Sequence, residues 1–196
     1  MREASLETAV KGTRIPGLDI IPSSMALSGI EIELSDTEDR QSRFRNILAN
    51  HTANYDYVII DCPPALGLLT VNALVASHSV LVPLQCEFFA LEGMSHLMQT
   101  IKRIQEKHNP SLSLQGIVLT MYDTRNNLSN AVADDVRAYF GEKVYKTVIP
   151  RNVRVSEAPS HGHPVLIYDI NCAGSQAYLK LASELINREQ KRQRNE

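Results

Sequence analysis

Short runs of β-branched and other apolar residues alternate along this chain with stretches where apolar residues recur every three or four positions. That alternation restricts the fold more than any other feature, because the two periods belong to different elements. Strands are predicted at 18–21, 57–60, 79–84, 116–121, 144–149 and 165–168. Between them, Met94, Leu97, Met98, Ile101 and Ile104 form one helical stripe, and Leu128, Val132, Val136 and Phe140 form another. A helix over 35–50, capped by Ser35 or Asp36, would turn Phe44, Ile47 and Leu48 inward. A last helix over 175–187 would do the same with Tyr178, Leu181, Ala182 and Leu185. This order predicts an α/β fold built of βα units, with a mainly parallel sheet flanked by helices. With 196 residues, 43% of them apolar, there is material for one sizeable core. A single domain is therefore expected over 1–188, followed by a polar, frayed tail over 189–196 that has no apolar residue.

Composition removes several classes of function. A formal charge of -2 gives no overall drive toward nucleic acid, so DNA binding would need a local basic cluster. Cys62, Cys86 and Cys172 are widely spaced and form no CxxC pair, which fits reduced thiols rather than a disulfide framework or a zinc site. The first residues carry charge where a signal peptide needs an apolar run, and no stretch reaches the roughly 18 apolar residues of a membrane span. A cytoplasmic protein with no membrane partner is expected.

In an open parallel sheet, ligands gather at the carboxyl ends of the strands. Asp61 ends the run Tyr57-Val58-Ile59-Ile60 and is placed to hold Mg²⁺, directly or through water. Pro63 and Pro64 then stiffen the following turn. Taken alone, an aspartate after a strand is equally compatible with capping a helix or a turn.

The longer string Asp61-Cys62-Pro63-Pro64-Ala65-Leu66-Gly67-Leu68-Leu69-Thr70-Val71-Asn72-Ala73-Leu74 resembles the Walker B region of the ParA/Soj chromosome- and plasmid-partitioning ATPases. The resemblance continues through Val82-Pro83-Leu84-Gln85-Cys86-Glu87 with Ala90-Leu91-Glu92-Gly93, and through Leu119-Thr120-Met121-Tyr122-Asp123-Thr124-Arg125. It ends with Ile149-Pro150-Arg151-Asn152-Val153-Arg154-Val155-Ser156-Glu157-Ala158-Pro159-Ser160-His161-Gly162. These four blocks, in the family's order, extend the likeness over about residues 17–185.

The resemblance implies a P-loop NTPase-like fold of the ParA/MinD type, and an ATP- and Mg-dependent switch. Such a switch forms a nucleotide-sandwich homodimer, binds DNA without sequence preference on the nucleoid, and answers to a ParB-like centromere-binding partner. On this likeness Asp61 matches the Walker B aspartate and the Mg side, Pro63 and Pro64 the switch turn, and Thr120, Pro150 and Asn152 the adenine pocket. Arg125 and Arg154 match DNA-contacting positions, where arginine pairs with phosphate independently of sequence.

One departure stands out. The family's phosphate loop, KGGxGKT, and the next strand with its water-positioning aspartate have no counterpart in the sequence. Lys11-Gly12-Thr13 lacks the spaced glycines and second lysine that would cradle phosphate, and it reads as a turn. The expectation is an N-terminally truncated member with no complete catalytic set, impaired in ATP binding and hydrolysis. Two explanations stay open: a fragment of a working ATPase, or a non-catalytic relative that binds DNA or a partner. A membrane-cycling, MinD-like protein is disfavoured because the polar tail has no apolar face.

Other constellations read more plainly. Arg125, Arg151 and Arg154 would form one basic patch if their loops adjoin, with Arg151 undecided between DNA and nucleotide. His161 and His163 are too few for a metal site. Glu87 and Glu92 suit a helix start. Ser156, His161 and Asp169 have triad residue types but no nucleophile elbow.

Overall fold

In the computed structural model, which describes residues 6–34, 36–49 and 51–194, the chain groups into two compact units. The first takes the described part of Met1–Ser79 together with Thr100–Ser113; the second takes Val80–Gln99 together with Leu114–Glu196.

The first unit begins with a short helix α1 (Leu6–Ala9) and a hairpin of two-residue strands, β1 (Lys11–Gly12) and β2 (Asp19–Ile20), paired antiparallel. Gly17, at φ 75°, supplies the left-handed residue of the connection, and the Thr13 hydroxyl donates to the Leu18 carbonyl at 2.7 Å. A 3₁₀ turn (Met25–Gly29) leads into α2 (Ile30–Glu33), followed by α3 (Arg43–Leu48) and α4 (Leu68–Ala76). Two buried asparagines hold this unit. Asn72, in mid-α4, accepts the Phe44 N–H at 3.1 Å and donates to the Arg40 carbonyl at 2.7 Å, which fixes α3 against α4. Asn109 donates to the carbonyls of Ser77 (2.7 Å) and Leu74 (3.1 Å), satisfying acceptors that the end of α4 leaves open.

The second unit contains the paired strands β3 (Ser79–Gln85) and β4 (Ser113–Thr120), most of whose residues it holds. Helix α5 (Ala90–Lys107) gives it residues through Gln99, and α6 (Asn127–Phe140) lies wholly within it. Val82, Met94, Ile117, Leu119, Val132 and Val136 form its main core. The stripes expected on α5 and α6 face inward except for Leu128, which is exposed. Asn126 caps α6 through the Leu128 N–H, and Gly141, at φ 54°, ends it. Three further helices follow: α7 (Val153–Glu157), α8 (Val165–Tyr168) and α9 (Ala173–Gln193). A second cluster of Val118, Tyr145, Ile149 and Ala177 packs with Leu181 and Leu185 of α9.

Several expected elements differ. The segment 57–60 belongs to no regular element and pairs with no strand among the described residues, and Ile59 is 90% exposed. A strand exists only through its neighbour's hydrogen bonds, so apolar character cannot make one alone. Residues 165–168, read as a strand, form α8, because Pro164 starts a turn whose carbonyl takes the N–H groups of Ile167 and Tyr168. Residues 144–149 form no continuous strand among the described residues: they meet β4 at an isolated parallel bridge, Ile117–Val144, and through the Ile149 N–H on Leu119, with a second parallel bridge between Tyr122 and Pro150. The helix over 35–50 shortens to α3, with Ile47 exposed; its expected cap Ser35 lies outside the described residues. On α9, Tyr178 and Ala182 are exposed while Ala177 joins the core, so the buried face is rotated from the one expected. The helix also runs through Gln193, into the stretch expected to fray, because Arg188 and Arg192 anchor it to backbone carbonyls of Glu142, Val144 and Gln115.

Candidate functional site

The turn after β4 places its polar residues at the carboxyl end of the strand. Thr120 is the last residue of β4, Met121 turns with φ 52°, and Tyr122 exchanges backbone bonds with the neighbouring segment. Its N–H donates to the Ile149 carbonyl at 3.1 Å, and its carbonyl accepts the Arg151 N–H at 3.2 Å. Pro150 and Arg151 are thereby held beside the 122–125 turn. An open groove of about 890 Å³ lies between them and α9, lined by Asp123, Arg125, Lys146, Pro150, Arg151 and Lys180 among others.

Charge in this groove is unbalanced. Its lining has four cationic side chains, those of Arg125, Lys146, Arg151 and Lys180, and one carboxylate, Asp123. Arg125 engages that carboxylate through both Nε (3.0 Å to Oδ1) and Nη2 (2.9 Å to Oδ2), and its backbone N–H adds a third bond at 3.0 Å. The guanidinium contacts, then the backbone N–H, hold the Asp123 carboxyl down at about 2. Lys146, Arg151 and Lys180 are exposed and have no ion pair among the described residues. A second hollow, of about 540 Å³, shares Lys146 and Lys180 with the first and adds Lys191.

The segment feeding this groove is shaped from α9. The Tyr145 N–H bonds the Ile117 carbonyl and the Ile149 N–H bonds the Leu119 carbonyl, both at 2.8 Å, so the segment gains residues on β4 between those points. In that bulge the N–H groups of Lys146 and Thr147 turn instead to Glu184 of α9, each at 2.9 Å. Arg188 completes the arrangement, 2.7 Å from Glu184 and with its guanidinium carbon 4.0 Å above the Tyr145 ring. Burial raises the Glu184 carboxyl, but the Lys146 and Thr147 N–H groups, the Thr147 hydroxyl and Arg188 outweigh it, leaving the pKa below its ordinary value. Where β4 starts to meet this segment, a side chain at Gly116 would put a Cβ 2.5 Å from the Tyr145 ring and 2.7 Å from the Lys143 carbonyl.

Not every expected basic residue reaches the groove. Arg125 and Arg151 line it, whereas Arg154 is absent from its lining and is tied to Glu157 at 2.9 Å and Asp169 at 3.6 Å. Asn152 spends its side-chain oxygen on the α7 cap, accepting from the N–H of Arg154 at 2.9 Å and of Val155 at 3.4 Å. Lys146 and Lys180 were not singled out in the sequence. Lone lysines carry no motif, and the available signal was Lys180's place off the apolar face of α9.

Asp61, Pro63 and Pro64 belong to the first unit, in an exposed, irregular segment that leads into α4. The Thr70 hydroxyl closes the end of that segment on the Ala65 carbonyl at 2.6 Å, and Glu31 accepts the Leu69 N–H at 3.2 Å at the helix start. Among the described residues, Asp61 makes no side-chain hydrogen bond or ion pair, acts electrostatically on the neighbouring Cys62, and belongs to no cluster of three potential metal ligands. No triad forms around His161, whose ring stacks on Tyr168 at 5.0 Å, while Asp169 accepts the N–H groups of Asn171 and Cys172. No helix among the described residues is long and apolar enough to cross a membrane.

Comparison with known proteins gives concordant likenesses. The family model described as an AAA domain matches residues 1–114. The chromosome partitioning protein ParA of Caulobacter vibrioides is 62% identical over 195 residues, which cover 98% of this chain and 73% of that protein. The sporulation initiation inhibitor protein Soj of Bacillus subtilis is 51% identical over 183 residues, covering 93% of this chain and 72% of its own length. Among solved structures, cobyrinic acid a,c-diamide synthase from Mycobacterium smegmatis, with bound ADP and magnesium, superposes with a TM-score of 0.80 at 32% identity. That match covers 96% of this chain and 69% of the synthase. The cell division ATPase MinD of Pyrococcus furiosus shares the fold, with a TM-score of 0.74 at 22% identity over 94% of this chain and 72% of its own.

Proposed function

The chain belongs to the ParA/Soj/MinD family of P-loop ATPases, with their α/β fold, and we propose that it is a ParA-type chromosome- or plasmid-partitioning protein. In this reading the groove of the second unit takes the phosphodiester backbone of non-specific DNA, placing the protein on the nucleoid. One observation carries it: four cations line the groove against a single carboxylate, and that carboxylate is already paired. On a chain of net charge -2, such a local excess supplies the salt-dependent affinity that the composition as a whole does not. Arg154 acts as an outlying contact, released from Glu157 when phosphate arrives.

The nucleotide reading is divided. Thr120, Pro150 and Asn152 stand at the ends of adjoining backbone segments and are proposed to border the adenine. Asp61 is proposed to meet Mg²⁺ through water. A single exposed carboxylate fits only a metal held mainly by substrate phosphates, as Mg²⁺ often is. The 196 residues include no run of spaced glycines to cradle those phosphates. We therefore propose weak ATP binding by these residues alone, with homodimer formation and response to a ParB-like partner depending on a complete phosphate site.

DNA binding followed against salt tests the reading. Four groove cations give an expected slope of log K on log salt of about -3 to -4, and Arg125→Ala lowers its magnitude by about one. A slope near zero, or one unmoved by Arg125→Ala, refutes the groove assignment. ATP affinity is measured in parallel on this chain and on the same chain joined to a KGGxGKT segment. Equal affinities would refute the phosphate-site reading.

A further inference from the structure

The groove's cations are not equivalent. Lys146, Arg151 and Lys180 have no ion pair among the described residues, but Arg125 presents its Nε/Nη2 edge to Asp123. That edge is the fork with which a guanidinium grips phosphate in two parallel bonds. Carboxylate and phosphate thus compete for one set of donors. The Arg125 side chain is 89% exposed and Asp123 retains 26% exposure, so the pair is open to solvent and to an incoming polyanion. An exposed pair of this kind contributes little to stability, and giving it up leaves the fold intact.

Building on the nucleic-acid reading above, we propose that Asp123 sets the affinity of the groove: it is an internal competitor that occupies the bidentate edge of Arg125 until a DNA phosphate displaces it. That exchange keeps the contact weak and readily reversed. Lys146, Arg151 and Lys180 supply the first encounter, and Arg125 joins after exchanging partners.

The test is Asp123→Asn in the full 196-residue chain, read by fluorescence anisotropy on a mixed-sequence duplex across a salt series. Removing the competitor adds one effective cation. Expected are a Kd about 8-fold lower near 0.1 M salt and a slope steeper by about 0.9. Asp135→Asn, which changes the same charge at an exposed position of α6 outside the groove lining, is expected to shift Kd less than about 2-fold. The double change Asp123→Asn with Arg125→Ala should abolish the gain. Unchanged or weaker binding by Asp123→Asn overturns the proposal and makes Asp123 a support for Arg125. Equal tightening by Asp135→Asn, or a gain that survives loss of Arg125, overturns it as well. If Arg125→Ala alone leaves binding by the unaltered chain untouched, the groove reading itself fails and this inference falls with it. If Arg125→Ala weakens binding but Asp123→Asn does not tighten it, only the inference fails.

Discussion

Between Tyr55 and Pro64 the chain runs mostly exposed and forms no paired strand among the described residues, while between Tyr145 and Arg154 its backbone is tied down at several points. In the latter segment, Tyr145 and Ile149 bond to β4, Lys146 and Thr147 to Glu184, Arg151 to Tyr122, and Arg154 to the Asn152 cap. Both segments carry family-like sequence. The difference teaches that a recognisable motif and a fixed geometry are separate properties. The first comes from residue types in order, and the second needs partners for the backbone.

The sharpest way to break that comparison is to truncate one apolar side chain on each side of it. Leu119→Ala, at a fully buried position of β4, is expected to cost about 2–5 kcal/mol in chemical denaturation. Ile59→Ala, at 90% exposure, is expected to stay within about 0.5 kcal/mol. Comparable losses from the two would show that the Asp61 segment is packed after all.

A smaller effect is expected at Glu184. Glu184→Gln weakens two charge-assisted backbone bonds and the Arg188 pair, for an expected loss of about 1–3 kcal/mol near neutral pH. The folded carboxyl lies below its ordinary value, so its contribution is complete above the unfolded pKa of about 4.3 and is lost as pH falls through the folded value. Stability curves of the two proteins should therefore converge on acidification. A gap that stays constant with pH would remove the carboxylate from the account.

The smallest contrast sharpens the same point at the candidate nucleotide residues. Asn152→Ala removes the α7 cap and is expected to cost about 0.5–2 kcal/mol. Asp61→Asn, at an exposed carboxylate with no hydrogen bond or ion pair among the described residues, is expected to leave the melting temperature unchanged. A clear shift on Asp61→Asn would reveal a structural role that the fold does not display.

Much of the second unit was legible beforehand, because its elements advertise themselves by period: β3, β4, and the stripes of α5 and α6. The groove was half legible. Arg125 and Pro150 were found through their motifs, but Lys146 and Lys180 have none, and Arg154 was expected beside Arg125 although its carboxylate neighbours hold it elsewhere. Where apolar runs lacked period, as at 165–168, local preference was overruled by Pro164 and by Ser175, whose hydroxyl donates to the carbonyls of Val165 and Asp169.

What the sequence by itself determined is the family, the α/β class, the identity of the residues at each motif, and the want of a spaced-glycine loop within these residues. All of these are properties of residue type and order. Only the tertiary structure decided which cations share a groove, which arginine edge is already occupied, and which segment between strands has its backbone bonded. Those depend on contacts between residues far apart in the chain, such as Glu184 with Lys146, and such contacts leave no period or spacing to be read.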